Sequence, residues 1–167
     1  MTDPRGKASV RRVAEALEAA GVEAGIVALN DTARSAKEAA AALGCGVGQI
    51  VKSLVFRIPE SGEAVLVLAS GANQVDERKV GTILGAPVER PDARSVKAKT
   101  GFSIGGVPPV GHREGLRTLV DRDLLLHGVV WSAAGHTHAV FPLPPGELVR
   151  ITGGEVGDLR CESAGAT

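Results

Sequence analysis

Two apolar runs of strand-forming residues, joined by a short polar turn, constrain the fold of this chain more than any other feature. The runs are Ile50 to Ile58 and Ala64 to Ala69, and both are rich in residues that favour β-strands. The residues between them, Pro59 to Glu63, have the composition of a hairpin loop. The two runs are therefore predicted to pair as antiparallel strands.

The rest of the chain alternates between helical and strand patterns. Apolar spacing and capping residues predict helices over 8–20, 33–43, 76–84 and 92–99 and a last short helix after Leu143. Short strands are predicted at 25–29, 87–90, 118–120 and 129–133. The order shows neither a strict βαβ repeat nor a Gly-x-Gly-x-x-Gly motif after the first strand. The 167 residues are therefore predicted to form one α+β domain, with a mixed, mainly antiparallel sheet flanked by helices.

Charge and composition limit the partners that such a domain can bind. Nineteen Lys and Arg balance nineteen Asp and Glu, so any binding of nucleic acid must rest on a local basic patch. An aromatic content of 2% argues against a surface that grips single-stranded bases by stacking. The two cysteines, Cys45 and Cys161, form neither a disulfide framework nor a zinc-binding pair. No signal core and no stretch of membrane-spanning length are present, which predicts a cytoplasmic protein with no membrane partner.

Lys52 is a charged residue within the first run of the hairpin. Strand alternation alone allows it to point to solvent, which is the ordinary place for a lysine. A lysine beside a pocket could instead bind phosphate or an anionic transition state as a compact positive charge. Periodicity does not decide between these two interpretations.

The segment Gly101 to His112 has the most unusual composition of the chain, with several glycines and two adjacent prolines. Glycine allows close approach of the backbone to a ligand, and proline fixes the path of the chain. The segment is not a phosphate-binding P-loop, because the Gly-Lys-Ser/Thr ending is absent. Composition alone allows either a ligand-binding loop or a rigid turn between strands.

His136 and His138 would share one face of a strand, which raises the question of a metal site. No Asp, Glu or Cys lies at a recognisable spacing from this pair, so a metal is not expected. A hydrogen-bonded or exposed histidine and a general base remain the alternatives. Ser53 and the other serines lack the nucleophile-elbow signature of a serine hydrolase.

Taken together, four segments resemble the YbaK/prolyl-tRNA-editing family in order and approximate spacing. They are Ile50 to Arg57, Gly105 to Gly111, Val120 to Leu124 and Ala134 to His136. The resemblance covers nearly the whole chain. It implies an α+β domain around a mixed, partly barrelled sheet, and an activity that removes wrong amino acids from tRNA without a metal or other cofactor.

The resemblance also implies roles for particular residues. Lys52 corresponds to the functional lysine of the family, Gly105 lies on its Gly-x-x-x-Pro element, and His136 falls near a position used in some subfamilies. These three are the expected catalytic residues. The expected substrate-binding residues are Ser53, Gly106, Val107, Pro108, Pro109 and Asp121. Catalysis is expected to use the hydroxyl of the substrate's own terminal ribose, with the protein supplying position and charge stabilisation.

The sequence is compatible with three functions. The first is a trans-acting aminoacyl-tRNA deacylase that hydrolyses the ester of a mischarged tRNA carrying a small amino acid. Its tRNA could be tRNA-Pro, and a synthetase or elongation factor could assist it. The second is a non-catalytic binding module of the same fold that recognises aminoacyl-tRNA, a nucleotide or a protein. The third is a metal hydrolase that uses His136 and His138.

Overall fold

The computed structural model describes residues 3–23, 25–30 and 32–162. Within these residues the chain forms helices and strands that interleave along the sequence. The α-helices are α1 (Ala8–Ala19), α2 (Ala36–Leu43), α3 (Glu77–Leu84), α4 (Ala93–Thr100) and α5 (Pro145–Thr152). The strands are β1 (Val27–Ala28), β2 (Val51–Arg57), β3 (Ala64–Ser70), β4 (Arg117–Asp121), β5 (Val130–His136), β6 (Ala139–Leu143) and β7 (Glu155–Gly157).

The predicted hairpin forms one side of a four-stranded sheet with the order β2-β3-β4-β7. β2 and β3 are antiparallel, with Lys52 opposite Ala69, whereas β3–β4 and β4–β7 are parallel. All seven residues of β3 are buried, because both faces of this strand are covered. Leu66 and Leu68 join one apolar cluster, whereas Val65 and Val67 join the other. This alternation divides the core into two layers about the central strand.

A second, three-stranded sheet has the order β1-β6-β5, and both of its pairings are antiparallel. A single parallel bridge from Ile50 to Trp131 links the start of β2 to β5. Among the described residues neither sheet is closed into a barrel. Three antiparallel and two parallel strand pairings confirm the prediction of a mixed, mainly antiparallel α+β fold.

The helix boundaries follow the capping chemistry of the sequence. The side chains of Ser35, Asp76 and Asp92 accept hydrogen bonds from main-chain N–H groups in the first turns of α2, α3 and α4. Glycines in the left-handed region, including Gly44 and Gly101, end α2 and α4. No helix in the described part of the chain is long and apolar enough to cross a membrane.

Three strands differ from the prediction. The segment Pro87 to Arg90 was expected to be a strand, but only Glu89 forms a bridge, to Arg57. β6 and β7 were not predicted at all. β7 pairs three residues with β4 after a helix, and β6 carries a proline, so neither shows a clear strand pattern.

Candidate active site

A cavity of about 300 Å³ lies between α2, the start of β2 and β5. Apolar side chains form much of its wall, among them Leu29, Ile50, Trp131 and Val140. Lys52, Ser53 and Gly105 also line it, so the structure brings three of the sequence-predicted residues to one cavity. A mostly apolar cavity with a few polar groups is the usual form of a small-ligand site.

Lys52 lies on β2 with its side chain partly buried. Its Nζ donates a hydrogen bond to the main-chain oxygen of Asn73, which is the one acceptor of this ammonium among the described residues. An ammonium group has three N–H donors, so two remain for a ligand. Burial and the nearby charge of Arg90 lower the pKa of Lys52 from its ordinary value, and the charge of Asp121 opposes them.

Asp121 acts on Lys52 through its charge, without a hydrogen bond to it, and is itself only 1% exposed. Its Oδ2 accepts hydrogen bonds from the main-chain N–H of Ser70 at 3.0 Å and from Nδ2 of Asn73 at 2.8 Å. Its Oδ1 accepts from the N–H of Asp123 at 3.0 Å. Asp121 thus fixes Asn73, whose carbonyl meets Lys52, and it does not line the cavity.

Gly105 and Gly106 bring a loop against the end of β5. Gly105 has a φ of +93°, a conformation that side-chain-bearing residues rarely adopt. A Cβ on Gly106 would lie 2.9 Å from Cα of His136, so only glycine allows this approach. The loop is therefore held where Gly105 lines the cavity, close to Thr137.

The other predicted residues of this loop lie away from that cavity. Val107 is buried and, with Ser53 and Arg90, lines a smaller cavity of about 70 Å³. Pro108 and Pro109 are buried and line neither of these two cavities. The carbonyl oxygen of Pro108 is 2.6 Å from Nε2 of His112, so Pro108 helps to anchor the loop.

His136 and His138 lie at the β5–β6 turn, with ring centroids 5.7 Å apart. Nδ1 of His136 accepts a hydrogen bond from the main-chain N–H of His138 at 3.0 Å. Burial, His138 and Lys7 lower the pKa of His136. The described residues contain no group of three or more His, Cys, Asp or Glu side chains that could hold a metal ion.

Several contributors to the site were missed in the sequence. Asn73 acts through its main-chain oxygen, which has no signature in residue type. Trp131 lines the cavity and Arg90 acts on Lys52 by charge, but both were hidden in segments without a recognisable motif. The polar pair Asn73–Gln74, directly after β3, was the one available signal in the sequence.

The position of Lys52 beside the apolar cavity determines which chemistry the site can support. The ammonium of Lys52 can stabilise negative charge at the edge of an apolar cavity, where a charge acts more strongly than in water. Ser53 Oγ is buried and has no hydrogen-bond partner among the described residues, and hence no histidine base to activate it. The cavity thus has room for a small group and a cation beside it, and the described residues around Ser53 form no serine triad.

This chain belongs to the aminoacyl-tRNA editing domain family, whose profile matches residues 30–151. The match confirms the resemblance predicted from the lysine strand and the Gly-x-x-x-Pro loop. The chain therefore carries an aminoacyl-tRNA editing domain.

Solved structures and curated proteins agree with this assignment. A crystal structure of a candidate trans-editing enzyme for prolyl-tRNA synthetase is 46% identical, with a TM-score of 0.89 over 93% of this chain and 98% of that one. EbsC of Enterococcus faecalis, named as a candidate Cys-tRNA(Pro)/Cys-tRNA(Cys) deacylase, is 26% identical over 75% of this chain and 76% of its own. The proline–tRNA ligase of Limosilactobacillus fermentum is 33% identical over 62% of this chain, but the match spans 18% of the ligase.

Proposed function

We propose that this chain is a trans-acting aminoacyl-tRNA deacylase that hydrolyses the ester of a tRNA carrying a wrong, small amino acid. The observation that carries the proposal is that Lys52 and Gly105 line one cavity of about 300 Å³ in a chain that carries an aminoacyl-tRNA editing domain. The names of the relatives favour tRNA-Pro as the tRNA and prolyl-tRNA synthetase as the enzyme that mischarges it.

In this proposal the aminoacyl group enters the apolar cavity and its ester carbonyl lies near Nζ of Lys52. Water attacks the carbonyl carbon, and the bond to the ribose oxygen breaks, giving a free amino acid and a tRNA with a free terminal hydroxyl. The neighbouring ribose hydroxyl orients the water and relays a proton, because it accepts one from the attacking water while it passes its own to the departing ribose oxygen. Lys52 stabilises the oxyanion through one of the two N–H groups that Asn73 leaves free.

The proposed reaction uses no metal. Its support is the chemistry of the side chains, because the described residues offer no cluster of three metal ligands. Asp121 acts as a positioning residue, since its contacts are with Asn73 and main-chain N–H groups. The choice of a small amino acid rests on the relative named as a Cys-tRNA deacylase, because a cavity of about 300 Å³ has room for larger side chains and each methylene contributes only about 1–3 kcal/mol of discrimination.

The test is a single-turnover deacylation assay on tRNA-Pro charged with alanine, cysteine, serine or proline. The wild type should release at least one small wrong amino acid and spare proline. Lys52→Ala should slow that reaction by about 100-fold or more, the size expected for losing one donor to an oxyanion. Lys52→Arg should also be slow, because a planar guanidinium cannot replace a compact ammonium.

Lys37→Ala is the matched control, because Lys37 is exposed on α2 and lies outside the cavity. Circular dichroism should show that all three variants fold. A wild-type rate for folded Lys52→Ala would refute the role of Lys52. A wild type that binds the charged tRNAs but releases none would favour the non-catalytic binding module.

A further inference from the structure

A second cavity, of about 220 Å³, lies on the other side of the loop that carries Gly105. Thr137 lines both cavities and Gly106 lines the second, so the Gly105–Thr137 contact forms the wall between them. The polar groups of the second cavity are the hydroxyls of Ser9, Ser103 and Thr137, together with Lys97 and His136. No acidic side chain of the described residues lines it. Its chemistry is therefore that of an anion site rather than of a second apolar pocket.

The hydrogen bonding of His136 decides what this residue offers to a ligand. Because Nδ1 accepts the N–H of His138, the neutral ring carries its proton on Nε2. Burial, His138 and the charge of Lys7 lower the pKa of His136 from its ordinary value, which favours the neutral ring. In that state Nε2–H donates a hydrogen bond and cannot accept a proton. His136 is thus equipped to bind an anion and unsuited to act as a general base.

The second cavity lies where the RNA strand that carries the ester could continue from the first cavity. An ester held beside Lys52 lies at the end of an RNA strand. The phosphates that precede it in the strand must therefore lie outside the first cavity. A chain of zero formal net charge can bind those phosphates only through a local group of cations and donors. Lys97, His136 and three hydroxyls, placed directly across the dividing wall, form such a group.

We propose that the second cavity binds a backbone phosphate of the tRNA 3′-terminal strand, with Lys97 and Nε2–H of His136 as donors. This inference rests on the proposed function, because it takes the first cavity as the site of the ester. It assigns His136 to binding of the RNA strand and removes it from the chemical step.

The experiment compares two small substrates that carry the same amino acid. One is aminoacyl-adenosine, which has no phosphate, and the other is the aminoacyl trinucleotide CCA, which has its two internal phosphodiesters. The measured quantity is the ratio of their kcat/KM values, trinucleotide over adenosine. Lys97→Ala should lower this ratio by about five- to tenfold, mainly through KM of the trinucleotide, because a charge-assisted contact is lost. Lys99→Ala is the matched control, an exposed lysine of α4 outside the cavity, and should keep the wild-type ratio.

His136→Gln separates binding from proton transfer. If His136 only binds phosphate, the variant changes KM of the trinucleotide far more than the rate on aminoacyl-adenosine. An equal fall of kcat on both substrates would instead identify a general base and overturn the proposal. Equal effects of Lys97→Ala and Lys99→Ala would also overturn it, because they would indicate a diffuse surface field.

Two further measurements keep this inference distinct from the proposed function. If the wild type hydrolyses neither substrate, the deacylase proposal fails, and calorimetry with uncharged CCA trinucleotide tests the second cavity alone. Weaker binding by Lys97→Ala, but not by Lys99→Ala, would support the phosphate site. Inorganic phosphate distinguishes the source of the ligand: binding of phosphate without any Lys97-dependent binding of the trinucleotide would refute an RNA strand as occupant.

Discussion

The close approach of Gly106 to β5 gives a prediction whose magnitude can be worked from the structure. In Gly106→Ala the new Cβ would lie 2.9 Å from Cα of His136 and 3.0 Å from its main-chain N and C atoms. These are backbone atoms that cannot rotate away, so the loop or the strand must move by about half an ångström to reach ordinary contact. Overpacking of this kind costs about 1–3 kcal/mol of unfolding free energy. For a chain of this size the melting temperature should fall by roughly 2–12 °C.

The same displacement should reach the candidate active site, because Gly105 is the neighbouring residue and lines the cavity beside Lys52. Misplacement by about 1 Å can cost about 100-fold in rate, so we expect kcat/KM to fall by roughly 10- to 100-fold. The assay combines thermal unfolding with deacylation of the best mischarged tRNA.

Gly115→Ala is the control for the Gly106 substitution. A Cβ at Gly115 would meet no atom of the described residues within 4 Å, and its φ is not in the left-handed region. Its unfolding free energy should change by less than about 0.5 kcal/mol. Gly106→Ala with both a wild-type melting temperature and a wild-type kcat/KM would refute the reasoning. A lower melting temperature with an unchanged kcat/KM would refute only the link from the loop to catalysis.

Three other predictions concern pH, metal and salt. In the proposed reaction Lys52 acts as the ammonium, and its pKa is lowered. The value of kcat/KM should therefore fall with rising pH, and the fall should begin at a lower pH than the titration of an ordinary lysine. Arg90→Gln removes one cause of that lowering and should move this alkaline limb to higher pH; a shift to lower pH would contradict the assignment. EDTA should leave the single-turnover rate unchanged, whereas loss with EDTA and recovery with zinc would favour the metal hydrolase. KM for tRNA should rise with KCl while kcat stays constant, and salt-independent tight binding would contradict a local phosphate-binding patch.

Much of the fold could be predicted because local chemistry carried the signal. Ser35, Asp76 and Asp92 cap helices through hydrogen bonds to residues two or three positions away. Their roles can therefore be predicted from a few neighbouring residues. β7 could not be found in this way. Its residues are exposed or half-exposed, and it is a strand only because its main chain pairs in parallel with β4, more than thirty positions earlier.

The residues of the candidate site also fall into those that the sequence could single out and those that depend on tertiary structure. Lys52 and Gly105 could be singled out because a charge in a strand and a glycine-rich loop are unusual in sequence, although their approach to one cavity is a tertiary fact. Asp121 was expected to bind substrate, but its hydrogen bonds are made inside the protein, to Ser70, Asn73 and Asp123. Whether a carboxylate faces a ligand or a main-chain amide depends on the parallel pairing of β3 and β4, which residue spacing did not reveal.

The network beneath Lys52 explains how a partly buried lysine can remain a useful cation. Burial and Arg90 both favour the neutral amine, whereas the charge of Asp121 favours the ammonium. Asp121 has no salt-bridge partner among the described residues, and its charge is stabilised by three N–H donors. Because Asp121 does not touch Lys52, it adds negative charge nearby without consuming an N–H of the ammonium. The main-chain oxygen of Asn73 takes only one of the three N–H groups. The lysine is thus fixed in position, kept from full hydration and left with two N–H donors, which the proposed reaction uses for its oxyanion.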